Sequence, residues 1–197
     1  HRELLSVISK SGTPIYFPGF KYQEFDFQKK SSAFLNFKLT KSRKYININT
    51  QDYLEDLYKT IRVFIRDRIK KYGGEIIINK PSGVTAIFNK NSSFCNHAVL
   101  CAIEIYSGLY TFNLSDNQSR YNVNFKLGLH QGDFNYEQNS QTIISEDLNY
   151  NVHMLKKTHG YFFIISDPLY NCLETKLRSY FKPAFDFKGL KNYYYEF

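Results

Sequence analysis

The chain has 197 residues, a length that fits one domain with a hydrophobic core large enough to need no disulfide or structural metal. Hydrophobic residues make up 43% and charged residues 22%, which is typical of globular proteins, and no apolar run reaches the ~18–20 residues of a membrane span. The net charge is +8, but the basic residues are scattered, so we expect a solvated surface and no nucleic-acid partner.

The three cysteines, Cys95, Cys101 and Cys172, have neither a CxxC motif nor the spacing of a disulfide framework. This pattern favours a reducing compartment, so we expect a cytoplasmic protein, or the cytoplasmic part of a larger or membrane-bound one. The chain begins with His1 instead of Met, so we expect a piece of a longer protein with a sensor domain upstream.

Residues 1–30 mix Pro, Gly and aromatic residues without a clear period. We therefore expect an N-terminal extension, or a linker from an upstream region, followed by one domain at residues 31–197. The apolar stretch SSAFLNF at residues 31–37 predicts the first buried strand of that domain.

The next predicted elements are a long helix and a hairpin. Thr50 is a good N-cap, and a Gly-Gly pair after Tyr72 ends the helix. Two β-branched, apolar runs at residues 75–88 predict a β-hairpin, with its turn at residues 80–83. The predicted inward face of the helix is Leu54, Leu57, Ile61, Phe64 and Ile69.

The second half of the chain continues the alternation of helices and strands. Hairpins join several of the strands, which predicts an α+β fold with a mixed, mostly antiparallel sheet and helices packed on it. In the helix at residues 93–113, Val99, Ala102, Ile103 and Leu109 are the inward candidates. The elements predicted after it are a strand at 121–134, a helix at 147–160, a strand at 161–166, a helix at 167–177 and strands at 181–187 and 192–197.

Four motifs occur in register along residues 31–197: YGGEIIINKPSGVTAIF, HAVLCAIEI, KLGLHQG and FKGL. Their order and spacing resemble the catalytic domain of the class III nucleotidyl cyclases, the adenylate and guanylate cyclases. The resemblance implies a ferredoxin-like core and a dimer. It also implies a reaction in which the ribose 3′-hydroxyl of ATP or GTP attacks the α-phosphate and expels pyrophosphate. The family supplies two aspartates for two metals, a Lys with an Asp or Thr for the purine, and an Asn–Arg pair.

The resemblance places neutral residues at both metal positions. Asn36, in FLNFKLT, stands where the first aspartate is expected, and one residue is missing after it. Ser82, at the hairpin tip, stands where the second aspartate is expected. Divalent cations such as Mg²⁺ need anionic oxygen, so we expect no metal and no other cofactor.

The purine and ribose positions are also altered. The purine-reading lysine aligns with Ile78, while Lys80 shares its face if the strand is regular, and the second purine position falls near Thr142. The expected Asn–Arg pair aligns with Asn149 and His153, and histidine is a poor substitute for a permanently charged guanidinium fork.

The alignment of the Asn–Arg pair has a second possible register. That register would use Asn151 and place Leu155 at the arginine position. His130 belongs to the strand scaffold in this family, so we interpret it as structural. An acidic group near the expected site shows no arrangement typical of a metal pair: Asp133, Glu146 and Asp147.

The sequence therefore predicts a degenerate cyclase-homology domain, a pseudoenzyme more than an enzyme, that acts in dimerisation or regulation of cyclic-nucleotide signalling. Its partner would be a second copy or another cyclase-type domain. Two alternatives stay open. One is a divergent but active cyclase that uses Mg²⁺ or Mn²⁺, with the choice of ATP or GTP undetermined. The other is a basic polyanion-binding module, suggested by the net charge of +8.

Overall fold

The computed structural model describes residues 28–40, 51–115, 123–137, 142–158 and 163–196. Most of the predicted N-terminal extension, together with Thr50 and Gly160, lies outside these ranges. The elements in chain order are β1 (Gln28–Thr40), α1 (Gln51–Lys71), β2 (Glu75–Lys80), β3 (Gly83–Phe88), α2 (Phe94–Leu114), β4 (Asn124–Glu137), β5 (Thr142–Ile144), α3 (Glu146–Lys157), β6 (Phe163–Ser166), α4 (Asp167–Cys172), α5 (Thr175–Arg178), β7 (Phe181–Phe187) and β8 (Leu190–Tyr195).

One mixed sheet organises these elements. Its strand order is β2-β3-β1-β4-β6-β8-β7, and β5 pairs with the end of β4. Every pairing is antiparallel except that of β4 with β6. The first half forms a β-α-β-β-α-β unit with the spatial order β2-β3-β1-β4, which is the ferredoxin-like arrangement. The predicted α+β fold with a mostly antiparallel sheet is confirmed.

The sheet buries both of its faces, as alternation along β1 shows. Ala33, Leu35 and Phe37 belong to the large core that also contains the buried faces of α1 and α2. Phe34 points the other way and packs with Leu148 of α3. Because successive side chains of a strand point to opposite faces, α3 lies across the sheet from the other two long helices.

The predicted inward faces of the two long helices are partly wrong. Phe64 and Ile103 are only partly buried and pack at the margin of the core. Ile65 and Ile105, which were not predicted, are fully buried instead. Each missed residue lies one or two positions from the residue predicted in its place. This is the error expected where several apolar residues are adjacent and periodicity alone chooses among them.

Three element boundaries also differ from the prediction. β1 is 13 residues long, and β5 was not predicted. The helix expected at 167–177 is two short helices, because Leu173 has an extended backbone, with ψ 153°, and is only 2% exposed. Burial of that one side chain interrupts the helix.

Two of the three cysteines form a disulfide, contrary to the expectation from their spacing. Cys95 in the first turn of α2 is bonded to Cys172 at the end of α4, with their Cα atoms 6.2 Å apart. Beside the disulfide, the Asn96 side chain donates to a Glu174 carboxylate oxygen at 2.7 Å and accepts from the Glu174 backbone N–H at 3.1 Å. Cys101 is free and buried. The two paired residues are 77 positions apart, so only the fold brings them together.

Among the described residues, no helix has the length and apolar character needed to cross a membrane.

The disulfide gives a first prediction. Since it closes a loop of 77 residues, its reduction should lower the free energy of unfolding by about 2–4 kcal/mol, mainly through the entropy of the unfolded chain. The urea midpoint of the wild type should fall when dithiothreitol is added. The Cys172→Ser variant should have the lower midpoint already and should not respond to the reductant. Three titratable thiols in denatured, unreduced protein, instead of the single Cys101 thiol, would contradict the assignment.

Candidate active site

A cleft of about 740 Å³ opens on the α3 side of the sheet. The β2–β3 hairpin, the C-terminal half of β1, the start of β4 and the second half of α3 form its walls. The cleft lies where the resemblance predicts the catalytic site, because four predicted positions line it: Asn36, Ile78, Lys80 and Ser82.

The hairpin reaches this cleft through a close backbone approach. The Ser82 carbonyl accepts from the backbone N–H of Leu39 at 2.9 Å, which continues the β1–β3 pairing to the hairpin tip. A Cβ atom on Gly83 would lie 2.5 Å from the Phe37 carbonyl oxygen, so only glycine permits this contact. The turn therefore brings Ser82 to the same cleft as Asn36.

The two candidate purine residues share the cleft. The only irregularity in the β2–β3 pairing lies between Ile76 and Ile78, so the strand is regular from Ile78 to Lys80. Both side chains therefore point to the same side. Thr142 starts β5, which pairs with the end of β4 at Glu137, whereas the start of β4 lines the cleft. The side chain of Thr142 is not among those that the structure describes.

The α3 positions divide into an exposed pair and a buried pair. Asn149 and His153 are both exposed, one helical turn apart, and neither lines the cleft. Asn151 is fully buried and donates from Nδ2 to the carbonyl oxygen of Phe34 at 3.0 Å, while Leu155 is 2% exposed. Asn151 thus anchors α3 to β1, and Asn149 has the amide that a ligand could reach.

Sequence reasoning missed three lysines and a threonine in this cleft. Lys38, Thr85, Lys126 and Lys156 all line it, together with Lys80. The signal was present for two of them, because Lys38 follows Asn36 on the same face of β1, and Thr85 is the residue directly opposite Asn36 on β3. Lys126 of β4 and Lys156 of α3 had no such signal, because their approach to the cleft depends on how α3 packs on the sheet, which periodicity does not show.

The residues of the cleft do not fit a divalent metal. Of the groups at the two metal positions, Asn36 offers a neutral amide oxygen and Ser82 a neutral hydroxyl. No carboxylate is among the residues that line the cleft, while four of them are lysines. In the described part of the chain, no group of three or more His, Cys, Asp or Glu side chains could hold a metal ion. Hard divalent cations need anionic oxygen ligands, so these donors do not fit the pair of metal ions that the resemblance implies for the family.

One of the three acidic residues noted in the sequence, Asp147, holds α3 in place through its carboxylate, and Asp133 does so through its backbone. The Ser145 hydroxyl caps the helix by accepting from the backbone N–H of Leu148 at 3.0 Å and donates to the Asp133 carbonyl at 2.8 Å. A carboxylate oxygen of Asp147 accepts from the Asp133 backbone N–H at 2.8 Å. A Cβ atom on Gly132 would lie 2.3 Å from the Asp147 carboxyl carbon, so glycine makes room for this contact.

His130 connects this cap to β6 in a Ser–His–Asp line. Its Nδ1 lies 2.7 Å from the Ser166 hydroxyl, and its Nε2 lies 3.3 Å from an Asp147 carboxylate oxygen. The neutral tautomer with the proton on Nε2 satisfies both contacts, since Nε2 then donates to Asp147 and Nδ1 accepts from Ser166. Burial lowers the pKa of His130, although Asp147 acts in the opposite direction. Ser166 is fully buried, so the line cannot act on a substrate and is structural.

Known proteins share this fold at low sequence identity. An adenylate/guanylate cyclase/hydrolase from Silicibacter pomeroyi is 17% identical with a TM-score of 0.70, over 87% of this chain and 99% of that chain. An adenylyl cyclase from P. aeruginosa is 14% identical with a TM-score of 0.68, over 86% and 95%. A guanylyl cyclase domain from the aquatic fungus Blastocladiella emersonii, in a dimeric form, is 12% identical with a TM-score of 0.70, over 85% and 97%.

No protein-family model matches the sequence, and no curated protein matches it. The likeness to the solved structures confirms, at the level of the fold, the resemblance inferred from the four motifs.

The buried His130 predicts a pH-dependent stability. Because its pKa is lower in the folded chain than in the unfolded chain, the unfolded state binds more protons as the pH falls. The free energy of unfolding should therefore fall below about pH 6.5, by at most about 1.4 kcal/mol per pH unit for this one proton. The difference between the pH profiles of wild type and His130→Gln isolates this contribution. Identical slopes in both proteins, or an NMR titration that places the His130 pKa above that of a model peptide, would refute it.

Proposed function

We propose that this chain, which has the fold of the class III cyclase catalytic domains, is a degenerate cyclase-homology domain that does not cyclise nucleotides and acts by pairing with a second domain. One observation carries the proposal: the two positions expected to hold metal-binding carboxylates, Asn36 and Ser82, both line the cleft and are both neutral. Without those carboxylates the cleft would lack the metal ions that stabilise the negative charge of the transition state in cyclisation.

Cyclisation moves negative charge onto the α-phosphate oxygens and the leaving pyrophosphate. Metal ions and preorganised cations stabilise that charge in phosphoryl transfer. Here the carboxylates that would hold two cations are replaced by neutral groups. The residue expected to be an arginine is His153, which is exposed outside the cleft. Ile78 has no group that could hydrogen-bond a purine, and Lys80 alone keeps a cation on that strand.

Pairing is the function that such a scaffold retains. The hairpin and α3 carry expected metal, purine and Asn–Arg positions, and the resemblance implies that the family brings such positions together across a dimer interface. A guanylyl cyclase domain with this fold occurs in a non-canonical dimeric form and in a monomeric form. In a homodimer both sites would lack metal-binding aspartates, and in a heterodimer this chain would add none, so the proposed role is regulatory.

The first experiment measures turnover and metal binding together. With ATP or GTP and Mn²⁺, the wild type should form no cyclic AMP or cyclic GMP above a protein-free blank. Without nucleotide, it should also leave the electron paramagnetic resonance signal of free Mn²⁺ unchanged. The variant Asn36→Asp, Ser82→Asp places a carboxylate at both positions and should reduce that signal, because two anionic ligands then line the same cleft.

The matched control for this experiment is the neutral variant Asn36→Gln, Ser82→Thr, which should bind no more Mn²⁺ than the wild type. Cyclic-nucleotide formation by the wild type that is abolished by Asn149→Ala would overturn the proposal in favour of a divergent, active cyclase.

The second experiment measures pairing by sedimentation. The chain alone, or an equimolar mixture with an active cyclase catalytic domain, should contain a two-chain species, and in the mixture the turnover of the active domain should change. Asn149→Arg on the exposed surface of α3 should weaken pairing, whereas Thr60→Arg on the exposed side of α1 should not. Single-chain sedimentation in both samples with unchanged turnover would exclude the regulatory role.

A further inference from the structure

Four lysines from four different elements line the cleft. Lys38 comes from β1, Lys80 from β2, Lys126 from β4 and Lys156 from α3. None of the lining residues is an aspartate or a glutamate. Lysines that converge from separate elements on one concave surface produce a local positive potential that scattered surface lysines do not, because the low-dielectric walls focus the field.

The ammonium groups are available to a ligand. Within the described ranges, Lys38, Lys80 and Lys156 form no ion pair with a carboxylate. Lys126 Nζ donates to the carbonyl oxygen of Thr158 at 2.6 Å, just past the C-terminus of α3. That bond uses one of its three donors and holds the ammonium group at the cleft wall.

Two polar side chains with little exposed surface also line the cleft. Asn36 is 9% exposed and Thr85 is 5% exposed, and they are directly opposite each other on β1 and β3. Among the described residues, neither has a polar side-chain atom that is both fully buried and without a partner. Their amide and hydroxyl groups are therefore reachable from the cleft and can donate to the oxygens of a ligand.

We propose that this cleft binds a polyphosphate anion, either inorganic or carried by a nucleotide, without a divalent metal. The proposal takes the cleft as the degenerate site described above, and it names the ligand class of that site. The lysines supply the positive charge that metals would otherwise bring to the phosphates, with charge-assisted hydrogen bonds from ammonium to phosphate oxygen. The amide of Asn36 and the hydroxyl of Thr85 donate to oxygens at the base of the cleft.

The apolar part of the cleft lining distinguishes the two sources of polyphosphate. Ile78 of β2 and Val152 and Leu155 of α3 present apolar side chains to the cleft, and Ile78 is 37% exposed. A nucleotide can place its base or ribose on such a surface, whereas inorganic tripolyphosphate cannot. Tighter binding of ATP than of tripolyphosphate therefore assigns a nucleotide, and equal binding assigns the phosphates alone.

The experiment is calorimetry of the 197-residue chain with tripolyphosphate and with ATP, in buffer containing EDTA. Both ligands should bind without metal. Mg²⁺ in excess over the ligand should weaken binding by about tenfold, because the cation neutralises phosphate charge that the lysines recognise. The variant Lys38→Gln, Lys156→Gln should weaken binding by about tenfold for each lysine removed.

The matched control is Lys59→Gln, Lys176→Gln, which removes the same charge from two exposed positions outside the cleft and should change affinity by less than about twofold. Three results would overturn the proposal: no binding in EDTA, binding that requires Mg²⁺, or equal weakening in the two double variants. Tighter binding of single-stranded DNA, weakened equally by both double variants, would assign the charge to nucleic acid instead. None of these results depends on the cyclase assay, so the two proposals can fail separately.

Discussion

The double burial of β1 is the constraint on which the rest of the structure depends. β1 pairs with β3 on one side and with β4 on the other, and its two faces lie under different layers of helices. Ala33, Leu35 and Phe37 must therefore be apolar for the main core, while Phe34 packs under α3. Beyond Phe34 this second face leads into the cleft, where Asn36 and Lys38 follow on the same side of β1 and need not be apolar.

Directional polar contacts fix the position of α3 in addition to its apolar packing. Asn151 binds the β1 backbone, Asp147 binds the β4 backbone, and Lys126 binds the carbonyl of Thr158 at the C-terminal end of the helix. Each contact is directional, so together they fix the rotation and height of α3 in a way that hydrophobic burial alone does not. None of these anchors involves Asn36 or Ser82, so the position of α3 does not depend on a metal bound at those two residues.

The order of helices and strands was predictable because each long element has one period and a clear end signal. What failed was local: adjacent apolar residues such as Phe64 and Ile65 compete for one core position, and periodicity cannot choose between them. Asn36, Ile78 and Ser82 were predicted as residues of the site because the order and spacing of the four motifs fix the alignment with the family. Lys126 and Lys156 were missed because their meeting depends on the packing of α3 across the sheet, a long-range contact without a local signal.

The neutral Asn36 and Ser82 and the four lysines of the cleft suit the same kind of ligand. A carboxylate pair with two divalent cations presents net positive charge to a polyphosphate, and so does a neutral pair surrounded by ammonium groups. A mixture of the two would be worse than either, because carboxylates without metals repel phosphate and lysines beside metals repel the cations. The neutral Asn36 and Ser82 therefore belong with Lys38, Lys80, Lys126 and Lys156. If both proposals hold, the cleft binds phosphates without activating them, since ammonium groups attract the ligand but do not replace the Lewis acid that the reaction requires.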